Sequence, residues 1–292
     1  MRLHWIVFIY GFTGILGQLI HVDALELVWH RMWMASVVIF LYLLIKKRTD
    51  FHLNRSSWNI LLAGIIIAAH WVTFFHAIKI SNVSVALSCI STGAFFGSLL
   101  EPLFNKRKPD LREILLGLIV ILGLYLIFKF EGDYWAGIIT ALISAFLSAC
   151  FTIINSRLVK RSTPYRITFL EMLGGWIALS LFMFFYGSLS SEVFNLIPMD
   201  WLYLAILGSI CTAYAFIENV ALMRQISPFS FLLAINLEPV YGILLALLIF
   251  GQKEQMNLYF YIGAALILST VFFDIYIKRK LRKKNRLIPP SS

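Results

Sequence analysis

Long apolar runs separated by short polar linkers dominate the chain from one end to the other. A helix needs roughly 20 apolar residues to cross the hydrocarbon core of a bilayer. Ten segments meet this requirement: 4–21, 25–45, 58–78, 83–104, 112–130, 134–156, 166–187, 201–223, 229–250 and 257–277. The linkers leave no room for an inserted soluble domain. The pattern therefore predicts an all-α membrane protein with ten transmembrane helices.

Composition supports this prediction and adds little chemistry to it. Hydrophobic residues make up 60% of the chain and charged residues only 14%, whereas soluble domains carry roughly 25% charged residues. The cysteines Cys89, Cys150 and Cys211 lie inside apolar runs and lack the spacing of a disulfide framework or a metal site. We therefore expect no metal site and no other cofactor.

The net charge of +10 could indicate nucleic-acid binding, but its distribution favours a membrane surface. With the N-terminus in the cytoplasm, 21 of the 25 lysines and arginines fall in cytoplasmic segments, three in outer loops, and Arg31 inside a helix. This asymmetry predicts that both termini are cytoplasmic. The basic tail, residues 279–292, is interpreted as a topogenic stop that can also touch anionic lipid. No nucleic-acid partner is expected.

A weak internal repeat divides the ten segments into two halves of five. Residues 60–132 align with 203–276, at an offset of 144 that becomes 146 after a two-residue slip. Because each half has an odd number of helices, the second half must be inverted in the membrane. The chain is thus predicted to form two inverted five-helix repeats, 1–132 and 133–278. Transporters of this build bind substrate near the midplane, between the repeats.

The triplet Leu-Glu-Pro occurs twice, but the repeat does not pair the two copies. Pro239 of the second triplet aligns with Gly93, not with the proline of the first. Glu101 of the first triplet lies near a predicted cytoplasmic end and is interpreted as an interfacial carboxylate that pairs with the basic run after it. Glu238 of the second triplet falls near the membrane midplane.

Glu238 is the strongest candidate for function. Ionisable residues inside spanning helices are costly and usually face a cavity, a partner or a water path. Burial disfavours the charged form of such a carboxyl, which suits a proton-coupled carrier. Pro239 removes one intrahelical hydrogen bond, and Asn236 can satisfy the freed carbonyl or contact a ligand. The alternative is a neutral acid with a structural hydrogen bond.

The second and third segments supply three further candidates. Arg31 stays charged and needs an anion, which is either a substrate group or a structural carboxylate. Its depth argues against a direct pair with Glu171. Trp71 can stack on an aromatic or cationic ligand. His70 is either a ligand contact or a hydrogen-bonded packing residue.

The eighth segment contributes a polar set near its predicted cytoplasmic end. Tyr214 precedes Glu218 by four residues, so the two are predicted to share one helix face. With Asn219 they could form part of a polar lining. A structural ion pair between Glu218 and Arg224 is the alternative interpretation.

Three stretches of the sequence carry a family resemblance: LELVWHRMWMAS with Arg31, HWVTFFHAIKISNVSVAL, and ENVALMRQISPFSFLLAINLEPVYGILLALLIFGQKE. In these stretches the chain resembles the drug/metabolite transporter superfamily, in its EamA branch. Arg31 resembles the second-helix arginine of that family, the second stretch resembles its aromatic third helix, short turn and fourth helix, and the third stretch resembles its second-half signature, which ends in Gly-x-x-Glu. In the first half, Gly93 stands where the family usually has proline. The resemblance implies transport of small metabolites, often export, through a central cavity lined by helices one to four and six to nine.

Under this resemblance helices five and ten are peripheral, which leaves a homodimer through them open. The predicted function is secondary transport by alternating access in a bacterial inner membrane. A channel or passive facilitator is the alternative and would lack saturable counterflow. No enzymatic activity is expected, because the sequence has no HExxH, DxxD-type metal cluster, P-loop or GxSxG motif. The candidate residues leave the substrate open among amphipathic cations, amino acids and small anions.

Overall fold

The computed structural model describes residues 2–47, 55–106, 108, 110–130 and 132–286, and within these ranges it contains helices and no strand. The helices are α1 (Arg2–Leu19), α2 (Ala24–Ile45), α3 (Arg55–Ile80), α4 (Val83–Ile90), α5 (Gly93–Asn105), α6 (Leu111–Phe130), α7 (Trp135–Leu158), α8 (Pro164–Phe185), α9 (Pro198–Gly208), α10 (Ala215–Leu222), α11 (Pro228–Ile235), α12 (Glu238–Phe250) and α13 (Leu258–Arg286). A π-helical turn, Ser209–Tyr214, joins α9 to α10, and short 3₁₀ turns lie at Gly132–Tyr134, Ser191–Phe194 and Gly251–Glu254.

Seven helical stretches of the described chain are long and apolar enough to cross a membrane. They are Ala24–Ile45, Ser57–Ile80, Val83–Asn105, Trp135–Leu158, Pro164–Phe185, Pro198–Leu222 and Pro228–Glu254. Further helices, including α1, α6 and α13, accompany them. The prediction of an all-helical, multi-pass membrane protein is confirmed. The end of the basic tail, residues 287–292, lies outside the described residues.

Glycines allow the helices around α3 to approach closely. α3 packs along both α7 and α8. A Cβ atom added to Gly64 would lie 2.1 Å from the carbonyl oxygen of Glu171, and one added to Gly174 would lie 2.4 Å from the carbonyl oxygen of Leu61. Small residues at such contacts are how membrane helices gain packing where lipid offers no hydrophobic driving force. The α3–α8 interface therefore holds Glu171 directly against the backbone of α3.

The helices predicted as numbers five and ten, α6 and α13, pack against each other. Gly123 and Gly263 meet there, since a Cβ on either residue would lie 2.6 or 2.5 Å from the carbonyl oxygen of the other. Their mutual contact lies within one chain. The predicted homodimer through these two helices stays a prediction.

Two predicted spans, 83–104 and 229–250, are each interrupted, and the interruptions correspond. The first consists of α4 with 8 residues and α5 with 13; the second consists of α11 with 8 and α12 with 13. The sequence marks Pro239 and Gly93 as helix-breaking positions, and both lie in the first turn of the helix that follows a break, α12 and α5. α11 ends at Ile235, and Pro239 lies in the first turn of α12, where its missing N–H costs nothing.

The first interruption forms without a proline. In the turn between α4 and α5, the Thr92 hydroxyl donates to the Cys89 carbonyl at 2.7 Å, and the Ser91 hydroxyl donates to the Leu87 carbonyl at 3.3 Å. Serine and threonine side chains that bond to nearby carbonyls compete with helix continuation. The break is therefore a feature of both halves, reached by different local chemistry, while the carboxylate of Glu238 belongs to the second half alone.

The N-terminus of each interrupted helix is capped by a carboxylate from the other half of the chain. The Glu254 carboxylate accepts from the backbone N–H groups of Val83 and Ser84 at 3.0 and 2.9 Å, and from the Ser84 hydroxyl at 2.7 Å, at the start of α4. The Glu101 carboxylate accepts from the Phe229 N–H at 2.8 Å, at the start of α11. The sequence indicated the basic run as the partner of Glu101 and missed this contact. These contacts therefore connect the two halves of the chain, one at the start of α4 and the other at the start of α11.

Candidate functional site

A cavity of about 70 Å³ lies at the centre of the bundle, between the two halves of the chain. Its polar walls come from Tyr10, Thr13, Arg31, Asn219, Asn236 and Glu238. Its aromatic walls include Trp71, Phe74, Phe151, Phe216 and Phe231. Both interrupted helices reach it at their breaks, through Gly93 in the first half and Glu238 in the second. The cavity therefore combines apolar surface with a few convergent polar groups, as ligand sites do.

Arg31 is the buried cation of this cavity, only 1% exposed. Its Nε–H donates to the Thr212 hydroxyl at 2.6 Å, and its Nη2 donates to the Cys211 carbonyl at 3.5 Å. The guanidinium carbon lies 3.8 Å from the centroid of the Trp71 ring, a stacking contact that stabilises a desolvated cation. Nη1 has no hydrogen-bond partner among the described residues. These contacts hold the guanidinium in place and leave one of its donor nitrogens for a ligand.

A π-helical turn creates the acceptor that holds Arg31. The Thr212 hydroxyl donates to the Leu207 carbonyl, five residues earlier, at 2.6 Å. The turn Ser209–Tyr214 also leaves the Cys211 carbonyl within reach of Arg31. Single π turns in α-helices are frequent at functional sites. No sequence signal indicated this turn.

Glu238 supplies an acidic group on the same cavity, and the residue is 8% exposed. It is the first residue of α12, where the positive end of the helix dipole favours an anion. Within the described residues no salt bridge joins Arg31 to Glu238, so the two side chains line the cavity as separate groups. Asn236, in the turn before α12, is 1% exposed, and its Nδ2 has no partner in the described part of the chain.

Tyr10 of α1 and Asn219 of α10 complete the polar wall of the cavity. The Asn219 Nδ2 donates to the Tyr10 hydroxyl at 2.8 Å, and that hydroxyl donates to the Ala215 carbonyl at 3.4 Å. The Asn219 Oδ1 has no partner in the described ranges. An amide oxygen and a guanidinium nitrogen, both without protein partners, therefore line one small space.

Comparison with known proteins places the chain in a family. The model of the EamA-like transporter family matches residues 5–129 and 135–275. The chain belongs to the EamA-like transporter family. A solved structure, titled "Crystal structure of protein", aligns with a TM-score of 0.72 over 96% of this chain and 97% of that one, at 14% identity. That likeness supports the fold alone. No curated protein matches the chain significantly.

Membership of the EamA-like transporter family confirms the resemblance inferred from the sequence. It also supports a membrane transporter of small molecules. The two matched stretches follow one another along the chain, and the central cavity takes its walls from both.

Seven of the residues singled out in the sequence line the cavity of this EamA-like transporter: Arg31, His70, Trp71, Gly93, Asn219, Asn236 and Glu238. His70 makes the structural contacts of a packing residue, because its Nδ1 lies 2.8 Å from the Ser144 hydroxyl and 2.9 Å from the Ser144 carbonyl. The residue also borders the cavity, and its predicted contact with a ligand stays a prediction. Pro239 does not border the cavity itself. It follows Glu238 in the first turn of α12.

Tyr214 and Glu218 are placed elsewhere, contrary to the expected shared lining. Neither residue borders the cavity, and Tyr214 is 48% exposed. Asn219 reaches the cavity because it follows Glu218 by one residue, a rotation of about 100° around an α-helix. In the described chain Glu218 forms no salt bridge with Arg224, which donates to the Val159 and Ser162 carbonyls.

Sequence reasoning missed Tyr10, Thr13 and the π turn. Tyr10 and Thr13 lie on α1, whose glycine stripe permits close contact: a Cβ on Gly11 would meet Tyr241 and Gly242 of α12 at 3.0 and 3.1 Å. Gly11 thus brings α1 against α12 and carries Tyr10 to the cavity. The sequence signal that could have indicated Tyr10 is a polar residue next to a glycine within a helix.

Proposed function

We propose that this EamA-like transporter is a secondary transporter of small organic zwitterions that works by alternating access. The proposal rests on one observation: Arg31 and Glu238 line the same cavity, and no salt bridge joins them among the described residues. A substrate carboxylate would pair with the guanidinium of Arg31, whose planar donors suit carboxylates. A substrate ammonium would pair with Glu238. The aromatic walls would hold an apolar side chain.

The cavity is too small for the proposed substrate in this conformation. Pockets for drug-sized ligands measure roughly 300–1,000 Å³, whereas this cavity measures about 70 Å³. A metabolite of amino-acid size therefore requires the walls to move apart. The interrupted helices offer the means, because each has a break at the cavity and a terminus tied to the other half.

The carboxylate caps suggest how the two sides would open in turn. Breaking the Glu254 contact would free the start of α4 at the predicted outer side, and breaking the Glu101 contact would free the start of α11 at the cytoplasmic side. One cap would stay closed while the other opens. This arrangement belongs to the proposal, together with ten spans in two inverted repeats, cytoplasmic termini and a bacterial inner membrane as the location.

Export coupled to protons completes the proposal. A carboxylate at membrane depth that meets either a proton or a substrate ammonium can exchange one for the other, so Glu238 is the residue expected to carry the coupling. The alternative, a channel or passive facilitator, moves solute without such exchange. Saturable counterflow separates the two.

The experiment uses purified protein in liposomes and three related solutes: an apolar amino acid, its amide and its N-acetyl derivative. All three solutes have the same side chain. The amino acid carries both charges, the amide carries only the positive charge, and the N-acetyl derivative carries only the negative charge. We expect saturable counterflow with the amino acid and little with the other two. Preferred transport of the amide or the N-acetyl compound would contradict the zwitterion assignment.

The matched variants are Glu238→Gln, on the cavity, and Glu218→Gln, outside it. Glu238→Gln is expected to lower amino-acid counterflow by at least about tenfold, the equivalent of about 1.4 kcal/mol, and to remove its dependence on a pH gradient. Glu218→Gln is expected to behave as the wild type. Normal, pH-dependent transport by Glu238→Gln would remove the proposed role of this carboxylate.

A further inference from the structure

A second cluster of buried polar groups lies on α7 and α8, which both pack against α3, apart from the Arg31–Glu238 pair. Its members are Glu171, Asn155, Thr168 and Thr152, and each is at most 1% exposed. Both carboxylate oxygens of Glu171, the amide oxygen of Asn155 and the two threonine hydroxyls have no hydrogen-bond partner among the described residues. Buried polar groups are normally satisfied. Five such oxygens in one region indicate that something else binds there.

The positions of these residues along their helices group the oxygens in two pairs. Thr152 and Asn155 are three residues apart on α7, and Thr168 and Glu171 are three residues apart on α8, so each pair shares a helix face. The Asn155 side chain lies in hydrogen-bonding proximity to the Glu171 carboxyl, and this contact joins the two pairs. Thr152 also borders the central cavity. The cluster therefore begins at the cavity wall and extends from it toward the predicted cytoplasmic side.

The charge of Glu171 has no protein partner in the described chain. Among the residues that the structure describes, no basic side chain lies within salt-bridge distance of it. The Arg166 Nη2, on the same helix, donates to the Ser57 hydroxyl at 2.9 Å, and Arg31 is held by Thr212. An ionised carboxylate that is fully buried and unpaired is very unfavourable, so a proton or a bound cation must neutralise it.

The donor set defines the kind of cation. Carboxylate, amide and hydroxyl oxygens suit hard cations, and the cluster has no imidazole or thiolate that would favour a transition metal. A single carboxylate balances one positive charge. We infer that Glu171, Asn155, Thr168 and Thr152 bind a small monovalent cation, with Na⁺ as the best match to an all-oxygen site. A role of this cation as a coupling ion in solute transport rests on the proposed transporter function.

Two features link the site to the cavity and to its surroundings. Thr152 borders the cavity and lies one helical turn from Asn155, so displacement of α7 by a substrate would also move Asn155. On α8, the backbone carbonyl of Glu171 packs against Gly64 of α3. We expect the ion to reach the site from the cavity.

The test measures thermal unfolding of the purified full chain in detergent, with NaCl replacing choline chloride at constant ionic strength. We expect a saturable, Na⁺-dependent rise in the unfolding midpoint of the wild type. Glu171→Gln should abolish the rise and unfold normally without Na⁺, since it removes a buried charge and keeps the side-chain shape. Thr168→Val should raise the half-saturating Na⁺ concentration by about tenfold, as expected from loss of one ligand. Glu218→Gln is the control and should respond as the wild type.

Two results would overturn the inference. The first is an equal midpoint for the wild type in NaCl and choline chloride at both pH 7 and pH 8.5, which would mean that a proton or Asn155 satisfies Glu171. The second is a Na⁺ response that persists in Glu171→Gln. The readout is binding, so the site can fail while zwitterion counterflow stands, and counterflow can fail while the site stands.

Discussion

The contact between Glu254 and the start of α4 leads to the sharpest prediction about stability. The carboxylate is 2% exposed and accepts three hydrogen bonds of 2.7–3.0 Å from Val83 and Ser84. Two of them come from backbone N–H groups at the helix start, which have no intrahelical acceptor. Glu254→Ala would leave these donors buried and remove an anion from the positive end of the helix.

The expected loss follows from those contacts. Removal of a helix cap costs about 1 kcal/mol and loss of a favourable charge at a helix terminus about 0.3–1 kcal/mol, while a buried group left without its partner costs about 1–3 kcal/mol. Because these terms overlap, we expect Glu254→Ala to lower the free energy of unfolding by about 2–4 kcal/mol. Glu254→Gln keeps one acceptor oxygen and should lose about half as much.

The assay is reversible unfolding of the purified protein in mixed micelles with increasing denaturing detergent, followed by tryptophan fluorescence. Glu192→Ala is the control, because Glu192 is an exposed carboxylate in the 3₁₀ turn that follows α8. It should unfold as the wild type does. The reasoning is refuted if Glu254→Ala stays within about 0.5 kcal/mol of the wild type, the range of ordinary surface substitutions.

Two further predictions use the same assay. Pro239→Ala should change the free energy of unfolding by less than about 1 kcal/mol, because the first turn of α12 needs no N–H at that position; a gain in stability of about 3 kcal/mol would instead place Pro239 in a helix interior, where proline is costly. Gly64→Ala should lose about 3 kcal/mol or more, since its Cβ would lie 2.1 Å from the Glu171 carbonyl oxygen and must push two backbones apart. Gly93→Ala, whose nearest neighbours would lie at 3.6 Å, should cost no more than about 1 kcal/mol, and equal losses for the two glycines would contradict this account of packing.

The membrane character and the family follow from the sequence for reasons that do not depend on tertiary contacts. A bilayer requires long apolar helices because it cannot hydrogen-bond an exposed backbone. The hydropathy of the sequence therefore indicates the spans. Arg31 and Glu238 stand out for a similar reason. A charge in an apolar run is costly whatever its neighbours are, and both residues border the central cavity.

Contacts between distant helices are decided only by the tertiary structure. Glu101 and Glu254 each cap a helix start more than 100 residues away, which no local pattern indicates. Tyr214 and Glu218 were expected at the cavity because they share a helix face, yet which face looks inward depends on the neighbours that pack there. The π turn beside Arg31 and the oxygens around Glu171 have the same origin. Hydropathy fixes that a helix lies in the membrane, whereas packing fixes its rotation, and rotation decides which side chains meet.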